Sequence, residues 1–272
     1  MALTDEQVER YARHILLREV GGAGQAKLLN ASVLVIGAGG LGAPLLMYLA
    51  AAGVGRLGII DDDLVDLSNL QRQIIHGTPD IDRAKTDSAA DTLAAINPDI
   101  KVERHKVRLT ADNINAVIAD YDLVADGCDN FDTRFLVNDA CYLAKKPLVS
   151  AALSQFEGQL YTFRAFEGDK PCYRCIFPEP PPPDSIPSCA EAGILGAIAG
   201  VMGSLQAVEI LKEIIGLDES LAGGMLIYDA LASVTRKIRV GPDPACALCG
   251  PQPTITDLSL HRNTAAEPGT PK

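Results

Sequence analysis

The run ASVLVIG at 31–37, followed at once by Gly37-Ala38-Gly39-Gly40-Leu41-Gly42, constrains this chain more than any other feature. A short, continuous, largely β-branched apolar run reads as a strand buried on both faces, which belongs in a parallel sheet. The GxGxxG spacing then predicts a tight turn into a helix through Leu49, with Pro44 in the first turn, where its missing N–H costs nothing. Strand, glycine turn and helix together aim backbone N–H groups at one spot, and phosphate is what binds there. Spacing alone leaves NAD, FAD and ATP open.

The same rhythm continues. RLGIID at 56–61 is a second strand, and a helix from about Arg83 to Ile96 stops at Asn97-Pro98, because proline disfavours helix in the residue before it. Strand 100–107, helix 111–119, strand 121–126, helix 132–144 and strand 147–152 follow. Strands alternating with helices of this length predict an α/β fold with a doubly wound, mostly parallel, Rossmann-like sheet. Beyond Ala152 the pattern changes: 158–166 and the runs IYDA and SVTRKIRV read as C-terminal antiparallel strands. FPEPPPPDSIPS at 177–188 reads as an extended loop. The chain thus divides into an N-terminal helical segment 1–30, a nucleotide-binding core 31–152, a second half 153–251 and a disordered tail 252–272. In the first segment, Thr4 and Gln7 have capping-box spacing, and Val8, Tyr11, Ile15 and Leu16 form a helical stripe.

Ala192–Val208 is a charge-free run of 17 residues with Gly196 and Gly200 four apart. A membrane span wants about 20 apolar residues, and this run continues into Glu209, Lys212 and Glu213. It is expected as a buried helix packed closely on the sheet, with no membrane partner. The net charge of −11 makes nucleic acid an unsuitable default partner. The opening residues show no charged-then-apolar leader, so the expected compartment is the cytoplasm.

Three further clusters carry chemistry. After the second strand come Asp61, Asp63, Asn69 and Arg72, with Lys85 further on. Asp61 stands where a ribose-binding carboxylate belongs. Arg72 or Lys85 alone reads as a solvated surface charge; both together beside a glycine turn suit a triphosphate or a departing pyrophosphate. Asp129, after strand 121–126, would hold magnesium on phosphate oxygens or cap helix 132–144, a role that Asn130 and Asp132 also fit. The pairs Cys172/Cys175 and Cys246/Cys249 form a four-thiolate zinc constellation that would clip the C-terminal strands in place.

Of the other three cysteines, Cys141 and Cys128 read as buried packing residues. Cys189, before a helix start, is a possible thiol nucleophile or a tolerated cysteine. His14, His76, His105 and His261 fall in no triad or metal spacing. A carboxylate attacking the α-phosphate of ATP needs no general base, only cations for the leaving pyrophosphate and a metal.

RYARHILL, GAGGLG, DDDLVDLSNLQRQ, Lys85, DGCDNFDTR and the two CxxC pairs together resemble the MoeB/ThiF family, bacterial relatives of ubiquitin-activating enzymes. The similarity runs from about Leu3 to Pro251. It implies a homodimeric adenylyltransferase that uses ATP and magnesium to activate the C-terminal glycine of a small β-grasp sulfur-carrier protein ending in Gly-Gly. Pyrophosphate is released, and a separate sulfur donor acts afterwards. Residues 153–251 become the carrier-binding half, with the zinc clip and the Pro-rich crossover loop.

By resemblance, Gly37, Gly39, Gly40 and Gly42 would contact ATP phosphates. Asp61, with Asp63 beside it, would hold the ribose. Asn69, Arg72 and Lys85 would bind the triphosphate, Asp129 magnesium, and the four paired cysteines zinc. Arg13 would reach the partner subunit's site, a role given by resemblance alone, and Cys189 would be the crossover-loop cysteine. The likeness is greatest to the branch serving molybdopterin biosynthesis; thiamin, tRNA thiolation and cysteine biosynthesis are the alternatives with the same chemistry. A tRNA threonylcarbamoyladenosine dehydratase, an NAD-dependent oxidoreductase and a non-catalytic zinc scaffold are the weaker competing readings.

Overall fold

Strand β1 (Ser32–Ile36) is buried along its whole length in the computed structural model, which describes residues 3–182 and 192–262. Its side chains alternate between two cores. Val33 and Val35 face one apolar cluster, while Leu34 and Ile36 face another. A strand with hydrophobic demand on both faces sits at the centre of a three-layer stack. The first layer holds α3 (Gly21–Asn30), α4 (Gly42–Ala51) and α5 (Lys85–Ile96). The opposite layer holds α6 (Ile114–Ala119) and α7 (Phe131–Leu143).

Eight strands form one sheet in the order β3-β2-β1-β4-β5-β6-β7-β8. β2 (Arg56–Ile60), β3 (Lys101–His105), β4 (Leu123–Asp126) and β5 (Leu148–Ser154) join β1 in the parallel part. β6 (Glu157–Phe163), β7 (Gly224–Asp229) and β8 (Val234–Arg239) extend it antiparallel, as the change in sequence pattern beyond Ala152 predicts. The strand order reverses between β1 and β4, and the crevice beyond their carboxyl ends is where α/β sheets bind ligands.

Three expectations need correction. The opening segment forms two short helices, α1 (Asp5–Arg10) and α2 (Ala12–Ile15), broken at Tyr11. The Thr4/Gln7 capping box forms, yet of the expected stripe only Tyr11 is buried, and Val8 and Leu16 face solvent. Residues 252–262 are not loose, because Leu258 and His261 are buried and His261 Nε2 lies 2.8 Å from Asp139 Oδ2. Gly200 makes no close approach. After the short α8 (Tyr173–Ile176), helix α9 (Gly196–Ile215) meets α4 at Gly203, where a Cβ would lie 2.4 Å from the Leu41 carbonyl oxygen. Among the described residues no helix is long and apolar enough to cross a membrane.

Candidate functional site

The glycine turn occupies the switch point between β1 and β4. Gly37 N–H donates to the Ile60 carbonyl (2.9 Å), and Gly127 N–H donates to the Ile36 carbonyl (3.0 Å), so three strand ends converge there. Gly37 has φ +89°, a region that penalises any side chain. A Cβ on Gly42 would lie 1.9 Å from the Gly37 oxygen, so α4 can start this close to the strand only with glycine there. Among the described residues, the N–H groups of Gly39 and Gly40 have no protein acceptor. They line the half-open side of the turn.

Asp61 follows β2 and fixes this turn. Its carboxylate accepts from Ala38 N–H (2.8 Å) and from Asp63 N–H (2.9 Å). Burial pushes its pKa up, while Lys85 and the two N–H donors pull against that. The loop then folds back so that Lys85, 5% exposed, donates from Nζ to Asp63 Oδ2 at 2.7 Å.

Arg72 extends over the turn from the other side. A Cβ on Gly40 would touch its Cγ at 3.5 Å, and its guanidinium donates to the Ser68 carbonyl (3.0 Å). Asn69 closes the 3₁₀ turn Leu67–Asn69, accepting from Asp66 N–H at 3.3 Å. Asp129 stands two residues past Gly127, exposed, with no hydrogen bond or ion pair among the described residues. Asn130, not Asp129, caps α7, accepting from Thr133 N–H (2.9 Å). Cys128 and Cys141 are buried, and burial raises both thiols above the usual range. Cys189 lies outside the described residues.

Arg13 does not join this group. Tyr11, two residues earlier, packs its ring on Gly53, and its hydroxyl accepts from Asn97 Nδ2 (2.9 Å). That anchor is at the carboxyl end of α4, whereas the glycine turn is at its amino end. The 10 residues of α4 span about 15 Å. Arg13 is exposed and makes no bond to another described residue.

Two buried polar side chains here are not singled out by spacing: Gln73, which ends the DDDLVDLSNLQRQ run, and His76 beyond it. Gln73, 4% exposed, places Nε2 3.7 Å from where a Gly39 Cβ would be, and its Oε1 has no hydrogen-bond partner in the protein. His76, 6% exposed, bridges the Ala38 carbonyl and Ser88. Neither residue belongs to a periodic pattern, since only contact with the distant turn buries them.

The four paired cysteines assemble away from the turn. Their sulfurs lie 3.9 Å apart for Cys172 and Cys175, 3.6 Å for Cys172 and Cys246, and 3.3 Å for Cys175 and Cys249. Tetrahedral zinc with Zn–S near 2.3 Å sets sulfurs roughly 3.8 Å apart, so the donor set and spacing fit. Cys249 N–H also points at Cys246 Sγ (3.5 Å). Hydrogen bonds from Cys172 and Cys249 hold the Cys175 thiol below its usual range, while those with Cys175 and Cys249 drive Cys172 up. The knuckle is moored to α7 through Arg174, whose guanidinium clamps Asp139 at 2.8 and 2.7 Å. Asp139 lies eight residues into α7 from Phe131, about 12 Å along the helix.

A ThiF family model matches residues 11–248. A Thermus thermophilus protein named sulfur carrier protein adenylyltransferase is 49% identical over 261 residues, covering 95% of this chain and 96% of that one. A Mycobacterium tuberculosis protein named probable adenylyltransferase/sulfurtransferase MoeZ is 51% identical over 259 residues. That match covers 94% of this chain and 64% of the relative, so the chain spans under two thirds of its length. The solved structure of E. coli MccB with ATP superposes with a TM-score of 0.77 at 22% identity, covering 88% of this chain and 74% of that one, a likeness of fold.

Proposed function

Because the chain belongs to the ThiF family, we propose that it is an adenylyltransferase that activates the C-terminal carboxylate of a small β-grasp sulfur-carrier protein with ATP. The observation that carries this reading is the convergence on one crevice of Arg72, Lys85 and the Gly39 and Gly40 N–H groups, which have no acceptor among the described residues. An ionised carboxylate needs no base. One of its oxygens bonds to the α-phosphorus, the bond from that phosphorus to the bridging oxygen breaks, and pyrophosphate leaves with the electron pair.

Each residue then has a role. The Gly39 and Gly40 N–H groups receive phosphate oxygens, and Asp61 accepts from the ribose hydroxyls with lone pairs its two backbone donors leave free. Lys85 and Arg72 meet the negative charge gathering on the leaving pyrophosphate. Asn69 retains its amide N–H donors for the same phosphates. Asp129 would hold a magnesium ion, which supplies further charge neutralisation on the phosphates. Zinc on Cys172, Cys175, Cys246 and Cys249 would act as scaffold, being remote from the turn along α7.

Carrier-dependent exchange of labelled pyrophosphate into ATP tests the reading. Exchange is expected only when a carrier ending in Gly-Gly is added, and its absence with every β-grasp carrier of the source organism refutes the function. The finer proposal is molybdopterin biosynthesis, on the sequence likeness. With competing carriers, the molybdopterin-type carrier is expected to show the highest kcat/KM. A higher value for a thiamin-type carrier reassigns the pathway.

We also propose a homodimer in which Arg13 completes the other subunit's site. Its support is that Arg13 sits at the wrong end of its own α4, beside exposed Leu16 and Leu17. Arg13→Ala and Arg72→Ala are each expected to be inactive. Mixed in equal amounts after subunit exchange, they should recover about a quarter of wild-type activity, since half the dimers carry one intact site. No recovery means that Arg13 acts within its own chain or not at all.

A further inference from the structure

We propose that His76 is a positioning residue for the nucleotide turn, holding the Ala38–Gly39 peptide so that the Gly39 N–H faces the incoming phosphate. The inference rests on the reading of this turn as an ATP site. His76 Nε2 lies 3.0 Å from the Ala38 carbonyl oxygen and Nδ1 lies 2.8 Å from Ser88 Oγ, all buried. A carbonyl can only accept, so Nε2 carries the proton. In the neutral ring Nδ1 is then bare and receives the Ser88 hydroxyl. Burial holds the imidazole below its ordinary pKa; the hydrogen bond to the Ala38 carbonyl works against that, Lys85 works with it and Asp80 against it.

The consequence follows from peptide geometry. The Ala38 carbonyl and the Gly39 N–H belong to one planar trans unit and point to opposite sides. Drawing the oxygen inward onto His76 turns the Gly39 N–H outward. Ala38 is buried while Gly39 and Gly40 are partly open, so outward here means the crevice. The Ala38 N–H is fixed separately by Asp61 at 2.8 Å. Both polar groups of Ala38 are therefore tied, and the next N–H has no freedom to turn away. Glycine at 39 would otherwise allow that peptide to flip, since glycine tolerates both hands of φ.

Ser88 adds a link to the cationic part of the site. It lies on α5, three residues after Lys85, so the same brace couples the phosphate turn to the helix that presents the lysine.

The test compares His76→Phe, His76→Gln and Ser88→Ala in carrier-dependent pyrophosphate exchange, with thermal melts for each. His76→Phe removes the donor and is expected to raise the KM for ATP about tenfold with the carrier KM unchanged. In His76→Gln the amide Nε2–H can reach the same carbonyl, and the ATP KM should return to within about threefold of wild type. Ser88→Ala should shift it in the same direction as His76→Phe, by less. A folded His76→Phe with wild-type KM for ATP overturns the inference, as does equal loss in the phenylalanine and glutamine variants, which marks a packing role. Should His76→Phe fail to fold, a folded Ser88→Ala with unchanged ATP KM overturns it. Wild-type protein without exchange sinks the adenylation reading instead, which keeps the two failures apart.

Discussion

Replacing Arg72 with alanine is expected to lower carrier-dependent pyrophosphate exchange about a thousandfold or more, with melting temperature and zinc content at wild-type values. The size follows from where the charge acts, because a guanidinium opposite a departing pyrophosphate works mainly in the transition state. The structural cost is small. Arg72 is partly exposed, and among the described residues its guanidinium makes one hydrogen bond, to the Ser68 carbonyl. Loss of such a contact is worth roughly 1 kcal/mol. Lys85 is a poorer probe, because its removal leaves the Asp63 carboxylate without its cation and mixes stability with catalysis. Arg72→Lys should recover little, since an ammonium cannot reproduce a planar two-pronged donor. Near-normal exchange in Arg72→Ala refutes its assignment while leaving the carrier reading standing.

The second large effect concerns the cysteine cluster. Cys246→Ser is expected to lose zinc and to melt at least 10 °C lower than wild type. Among the described residues the apolar cluster around the four sulfurs is small: Ala165 and Leu248, with Tyr142 and Ile255 packed against them. A zinc ion held there would supply much of the local order, since structural zinc sites are worth roughly 10 kcal/mol in apparent binding. At temperatures where the variant is folded, ATP binding should persist, because the cluster and the glycine turn lie along α7 from one another. Metal analysis with calorimetry checks the first part, and nucleotide titration the second. A Cys246→Ser protein that melts like wild type removes zinc from its structural role.

Much of this was legible because local chemistry and global fold agree. The buried run 32–36 has one stable home, the middle of a parallel sheet, and Gly42 is forced by a close approach between adjacent elements. The CxxC pairs announce their geometry through chemistry that tolerates few substitutes. The failures have a common cause. Gln73 and His76 look like ordinary polar residues until the turn closes over them. His261, in a stretch without apolar periodicity, is drawn in by the buried Asp139 carboxylate. The Val8 and Leu16 side chains obey helical spacing, yet nothing among the described residues covers them. For Gln73, His76 and His261 the decisive contact spans a long sequence interval, and period or propensity cannot register it.

The placement of Arg13 beyond the far end of α4 has a physiological corollary. If a catalytic charge can be supplied only by a neighbour, a chain on its own is folded, metal-loaded and idle. Output per molecule then depends on abundance, falling away on dilution below the dissociation constant of the pair. Gene dosage would be felt more than proportionally, and a defective copy co-expressed with a sound one would silence only some of the sites it joins.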